Sequence, residues 1–499
     1  MNKKLVSLTL AAFFGTFIAD IDVTIVNVAL PSIQADVDTT LAELQWIINS
    51  YAVCLAAFML SASGLSNKYG LKKIWMLAIA LFTLASFFCA ITGNMPLLLI
   101  GRSIQGAAGA VIIPGAMSII FHAFDDATLR AKVVGAWSAF SAIALAIGPS
   151  LGGVLVDYVG WPSIFLINIP LGVLAFLLGG WGMSEFAVEK DLRLDVTGQI
   201  LSIIWLGCMT YAFIEAGHAG ILSPEVTVPF ATASILFGVF LVFQARSNNP
   251  LLPLFLFKKS EFAMPNIASF VLGFSTYSSL FFFSLFFQEA QGVSASQAGF
   301  RMMPQFLLTG VVSVFFGWLH IRIGTNRLMV MSYAIIGAAM VMLGFADAGT
   351  SYVYTGSMLS VMGVGMGIAV PVTSVCVLNA VEKPRFATAS AVMNSLRQGG
   401  MAVGIAVLGA LLGASAVSHA SLQLAEAGIP EAVRHAQVLV FDHVTDAVVP
   451  PHCYREAIAY GFQSAMRIAG LACLIISVVL AVYNWKFLEL PQYSRKTVR

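Results

Sequence analysis

The chain of 499 residues is 59% hydrophobic and only 10% charged, with a formal net charge of +2. Apolar runs of about twenty residues recur along its whole length, which excludes a soluble globular domain and defines an all-α polytopic membrane protein. So small a net charge says nothing about partners; the informative feature is where the positive residues fall.

The opening Met1-Asn2-Lys3-Lys4 before an apolar run mimics a signal peptide. The run from Leu5 to Leu30 is too long for one, contains Asp20 and Asp22, and lacks a small-residue cleavage site, so it is expected to remain as the first span. Fourteen spans are read at roughly 5–30, 45–64, 74–93, 97–121, 132–156, 163–183, 198–216, 227–245, 262–287, 299–320, 328–346, 352–378, 387–414 and 464–486. An even number puts both termini on one side. Lys3, Lys4, Lys68, Lys72, Lys73, Arg130, Lys132, Lys190, Arg193, Arg246, Lys258, Lys259, Arg322, Arg327, Lys383, Arg385, Lys486, Arg495, Lys496 and Arg499 all fall in alternate loops or the tails. By the positive-inside rule the termini are cytoplasmic and the protein crosses the cytoplasmic (inner) membrane many times. Six cysteines (Cys54, Cys89, Cys208, Cys376, Cys453, Cys473) have no ligand spacing and read as core hydrophobes, not as disulfides or a metal site.

The loop after the second span, Ser63 to Lys73, aligns with the loop after the tenth, Gly317 to Arg327, keeping a leucine, a base, a glycine (Gly70, Gly324) and a terminal base. Each copy follows the second helix of a six-helix unit if spans seven and eight are an insertion. The domains are therefore read as an N-terminal six-helix bundle, 1–183, two inserted linker helices, 184–261, and a C-terminal six-helix bundle, 262–499, with a long outer loop at 415–464. Parallel halves of this kind belong to transporters with a substrate site between them near the midplane.

Four charged residues within the spans carry the functional reading. Helical rise of about 1.5 Å per residue puts Asp22 and Arg102 at similar depth, roughly 12 and 9 Å below the outer ends of their spans. Asp20 lies about 200° around the helix from Asp22, so both cannot face Arg102 equally well. Asp22 is favoured as partner or proton carrier, with Asp20 second. The pair is either a proton-coupled switch, in which separation moves the carboxylate through its working range, or a static pin between two helices. Gln105 shares the arginine's face and is read with the substrate site. Arg397 lies roughly 15 Å deep in the thirteenth span, flanked by Asn394 and Gln398, and no span of the second half offers a central carboxylate to it. It pairs with carbonyls and amides or attracts an anionic or electron-rich substrate group. In the fifth span Gly135, Gly148, Pro149, Gly152 and Gly153 suit close approach and a pivot. Asp157, Asp195 and Glu215 sit at span ends and read as solvated or capping.

These motifs together resemble the major facilitator superfamily, in its fourteen-span branch of drug:proton antiporters similar to methylenomycin-resistance exporters. The resemblance rests on Asp22-Val-Thr-Ile-Val-Asn27-Val-Ala-Leu-Pro31, Arg102-Ser-Ile-Gln105-Gly106, Gly148-Pro149-Ser-Leu-Gly152-Gly153, Trp161 to Pro170, and Asn394-Ser-Leu-Arg397-Gln398-Gly399-Gly400. It implies a major facilitator fold, and a role in proton transfer for Arg102. The family's loop aspartate is replaced by Asn67, so the latch it forms should be weaker or built from Lys68, Lys72 and other partners. Phe300 to Leu319 lacks the acidic residue that resembles a signature of dication exporters, which favours neutral, monovalent or anionic compounds.

The expected activity is proton-driven export of a small amphipathic compound, with no cofactor, no nucleic acid and no enzymatic step. The working unit is a monomer in the bilayer, with an outer loop able to meet a periplasmic adaptor but not requiring one. The alternative is import or exchange of an organic anion held by Arg397. Seven scattered histidines and the lack of a phosphate-cradling loop argue against an enzyme.

Overall fold

A computed structural model describes residues 3–37, 39–124, 126–185, 194–220, 222–247, 249–382, 385–442 and 451–488. Lys190, Arg193, Lys383, Arg495, Lys496 and Arg499 lie outside them. Fourteen described helices are long and apolar enough to cross a membrane. They are α1 Lys3–Val37, α2 Leu41–Tyr69, α3 Leu71–Ile91, α4 Met95–Ala123, α5 Lys132–Val159, α6 Ser163–Gly182, α7 Val196–Gly217 and α8 Pro224–Arg246. The rest are α9 Ser260–Ala290, α10 Ala295–Ile323, α11 Thr325–Leu343, α12 Tyr352–Asn379, α13 Thr388–Glu426 and α14 His452–Asn484. Helix is the form that satisfies every backbone group within one segment, as hydrocarbon demands.

Polar residues mark where helices start. Thr40 and Glu43 form a reciprocal capping box at α2, and Asn94 accepts from Leu97 N before α4. Asp195 accepts from Gly198 N at 2.8 Å, capping α7. The two aligned loops share one geometry. Gly70 (φ +100°) and Gly324 (φ +89°) are each the single residue between consecutive helices, and each N–H reaches the carbonyl four residues back, Ser66 and His320. A side chain disfavours that positive φ, so glycine recurs there.

In the first half α1 packs on α4, α5 and α6, and α2 on α4; in the second, α9 packs on α13, α10 on α12, and α11 on α12 and α14. The halves meet through α5 against α10 and α2 against α13. The helices α7 and α8 pair with each other, and α7 leans on both α2 and α13. Most of the stretch 415–464, read as a long outer loop, is helical. The thirteenth helix runs unbroken from Phe386 to Glu426, a short helix follows at Ala432–Phe441, and the last helix starts at Pro451. The cause is a continued stripe: Ala416, Ala420 and Leu424 bury against Ala436, Leu439, Val440, Cys453 and Ala457, so the helix ends project beyond the apolar spans as one packed cap.

Candidate functional site

Asp22 and Arg102 meet inside the first half. Arg102 Nη1 lies 2.5 Å from Asp22 Oδ2, and the two side chains are 1% and 0% exposed. Arg102 also donates to Gln105 Oε1 (2.8 Å) and to the Ile47 carbonyl (3.1 Å), and sits 4.5 Å from the centre of the Tyr51 ring. The other carboxylate oxygen accepts from Gln105 Nε2 and from Asn168 Nδ2, each at 3.3 Å. Gln105 and Asn168 further share Ser86 Oγ, at 2.7 and 3.4 Å. A bare ion pair in so dry a place would be a poor exchange for hydration; three donors on one carboxylate make it tenable.

This cluster moves Gln105 out of the substrate site where the sequence placed it. Its side chain is 0% exposed and its two polar atoms are taken by Arg102, Asp22 and Ser86. Asn168, Ser86 and Tyr51 were missed as site residues. Asn168 had a readable signal, an amide inside an otherwise apolar span; the other two had none.

Asp20 faces elsewhere. It is half-buried and accepts from Ser141 Oγ on α5. Arg397 is half-buried on α13, donates through Nη2 to Asn394 Oδ1, and holds its guanidinium 5.3 Å from the centre of the Tyr277 ring. Its Nε is buried without a partner, as is Gln398 Oε1. Asp20, a carboxylate of the opposite half, is close enough for the Arg397 charge to act on it.

The glycines of α5 divide in two. Gly148 lies against Thr24 and the Ile21 carbonyl, Gly152 against Ile25, and Gly153 against the backbone of Ala295 and Ser296. Gly299 on α10 faces the backbone of Pro149 and Ser150, so the two helices touch main chain to main chain away from the face that carries the termini. Gly135, expected to allow close approach, does not serve it: a Cβ there would meet nothing within 4 Å, and the same is true of Gly310 and Gly317 on α10. Three more bonds join the halves away from the termini or at mid-depth. Gln288 Nε2 donates to Val28 O (3.1 Å), Ser296 N to Asp157 Oδ2 (2.9 Å) and Ser395 Oγ to Ala56 O (2.7 Å). Asp157 therefore caps a helix of the other half. Lys72 Nζ donates to Gly180 O and Met183 O, tying α3 to the end of α6 within one half, while Asn67 is exposed and Lys68 Nζ lies 5.6 Å from the Tyr69 ring centre.

Fourteen helices long and apolar enough to span a bilayer, packed around buried charges, define a polytopic membrane protein. The sequence profile of the Major Facilitator Superfamily matches residues 12–405, and the chain belongs to that family. It is similar to the methylenomycin A resistance protein of Bacillus subtilis (strain 168), 32% identical over 438 residues, 87% of this chain and 94% of that one. It is also similar to the multidrug resistance protein Stp of Mycobacterium tuberculosis (strain CDC 1551 / Oshkosh), 31% identical over 499 residues, 97% and 91% of the two chains. Among solved structures, a bacterial homologue of the human lysosomal transporter Spinster, inward-facing and unoccupied, superposes with a TM-score of 0.66 at 16% identity, over 99% of this chain and 98% of that one. At that identity the likeness speaks to the fold.

Proposed function

We propose that this chain exports small amphipathic compounds across the cytoplasmic membrane in exchange for protons, with both termini cytoplasmic. The resistance proteins to which it is similar along most of its length support export. Proton coupling rests on one observation, the fully buried Asp22–Arg102 pair with its amide cradle. Protonating Asp22 removes the charge that Arg102 binds and frees the amides to rearrange, so one proton can alter how α1 sits on α4. The halves, residues 1–183 and 262–499, then rock about the seam that α7 lines, and the contacts of α5 with α10 part as the opposite side closes.

The test is proton release from purified protein in proteoliposomes, read by a pH-sensitive dye on addition of neutral, cationic and anionic amphipaths. Release by at least one class, lost on Asp22→Asn, is the expected result; undiminished release from that variant overturns the role of Asp22. A second reading, exchange of an organic anion, is favoured by the unpartnered Nε of Arg397. Uptake into everted but not right-side-out vesicles separates export from it.

A further inference from the structure

Asp20 and Arg397 stand on different halves at comparable depth. Ala19 O, next to Asp20, accepts from Tyr51 Oη of α2 (3.3 Å). Five residues further along α2, Ala56 O accepts from Ser395 Oγ, two residues before Arg397. The two bonds place the charges within roughly one helical turn of each other along the bundle, and the guanidinium charge acts on the carboxylate. On the second-half side α9 departs from α-helix. Gly273–Tyr277 is a π-helical segment whose first residue lies against the Arg397 carbonyl and whose last presents its ring to the guanidinium. Such segments cost regularity and recur where a side chain must be aimed.

We propose that Asp20, Ser141, Tyr277, Asn394 and Arg397 form the polar end of the substrate site, and that the substrate class is net-neutral amphipaths bearing a carbonyl-type acceptor. The acceptor supplies the partner that Arg397 Nε–H lacks. One guanidinium and one carboxylate balance each other, so a ligand without net charge leaves the site balanced. A charged ligand leaves one unit uncompensated in a poorly hydrated place. Because the carboxylate belongs to one half and the guanidinium to the other, a ligand held by both is sensed by both. The inference rests on the export reading for what is carried across the membrane, not for what is bound.

The experiment uses the full chain in detergent and three probes on one scaffold: 2-acetylnaphthalene (neutral), 2-naphthyltrimethylammonium (monocation) and 2-naphthoate (monoanion). Wild type should bind the neutral probe best. Arg397→Gln leaves a carboxylate alone and should turn the preference to the monocation by about tenfold. Asp20→Asn should turn it to the monoanion, and the double variant Asp20→Asn/Arg397→Gln should return it to neutral. Arg397→Lys keeps the charge and should keep the neutral preference with weaker binding. Where a single variant does not fold, the double variant and Arg397→Lys carry the test. The same order of affinities in every folded variant, or no binding of any probe by wild type, overturns the proposal. Proton release that is indifferent to all of these substitutions overturns it while export stands; preferences that follow site charge without proton release uphold it and remove the antiport reading.

Discussion

Arg102 and Arg397 are both deep guanidiniums, yet one is enclosed by a carboxylate, an amide, a carbonyl and a tyrosine ring, and the other by one amide and one ring, with a buried N–H left over. The first arginine takes all those partners from its own half. The second has a countercharge that acts on it from the other half. A saturated pair holds helices in place until its charge is changed, whereas an unsaturated one is ready to take a ligand. The carboxylates divide the same way: Asp22 is sealed, and Asp20 is half-buried beside Ser141.

The largest expected effect is on the saturated pair. Arg102→Met leaves Asp22 buried and unpaired and should destabilise the fold by about 3–5 kcal/mol, read as loss of monodisperse protein or a large fall in melting temperature. A change no greater than for an exposed lysine would show that the pair is not enclosed. Next, Asn168→Ala withdraws one of three donors from Asp22 and should cost about 1–3 kcal/mol. Denaturation together with proton release measures it, and a wild-type response in both would remove Asn168 from the cluster. Smallest is Ser141→Ala beside Asp20. It should change stability by about 1 kcal/mol or less, with its effect seen instead in probe affinity at the cross-half site. A larger loss of stability than for Asn168→Ala would reverse the comparison.

Hydropathy and charge are local properties, so the fourteen spans and the all-α class were legible from residues alone. Helical rise is nearly constant, and the depth match between Asp22 and Arg102 followed from counting. The glycine of the aligned loops was legible too, because a positive φ selects it wherever it recurs. Rotation about the helix axis is not local. It is set by packing on several neighbours at once, and it decided that Asp22 turns to Arg102 on α4 while Asp20 turns to Ser141 on α5. The same cause separates Gly153, pressed against the backbone of α10, from Gly135, which meets nothing. Gln105 was assigned to the substrate because its i, i+3 spacing from Arg102 shows a shared face, but not what covers that face. The carboxylate near Arg397 comes from α1, more than 370 positions earlier in the chain, and the π-helical turn that aims Tyr277 has no residue signature. The sequence by itself determined which segments cross the bilayer and which charges lie deep within it, since composition and rise per residue suffice for both. Only the tertiary structure decided which charges meet, because partners from separate helices are chosen by how those helices turn and pack.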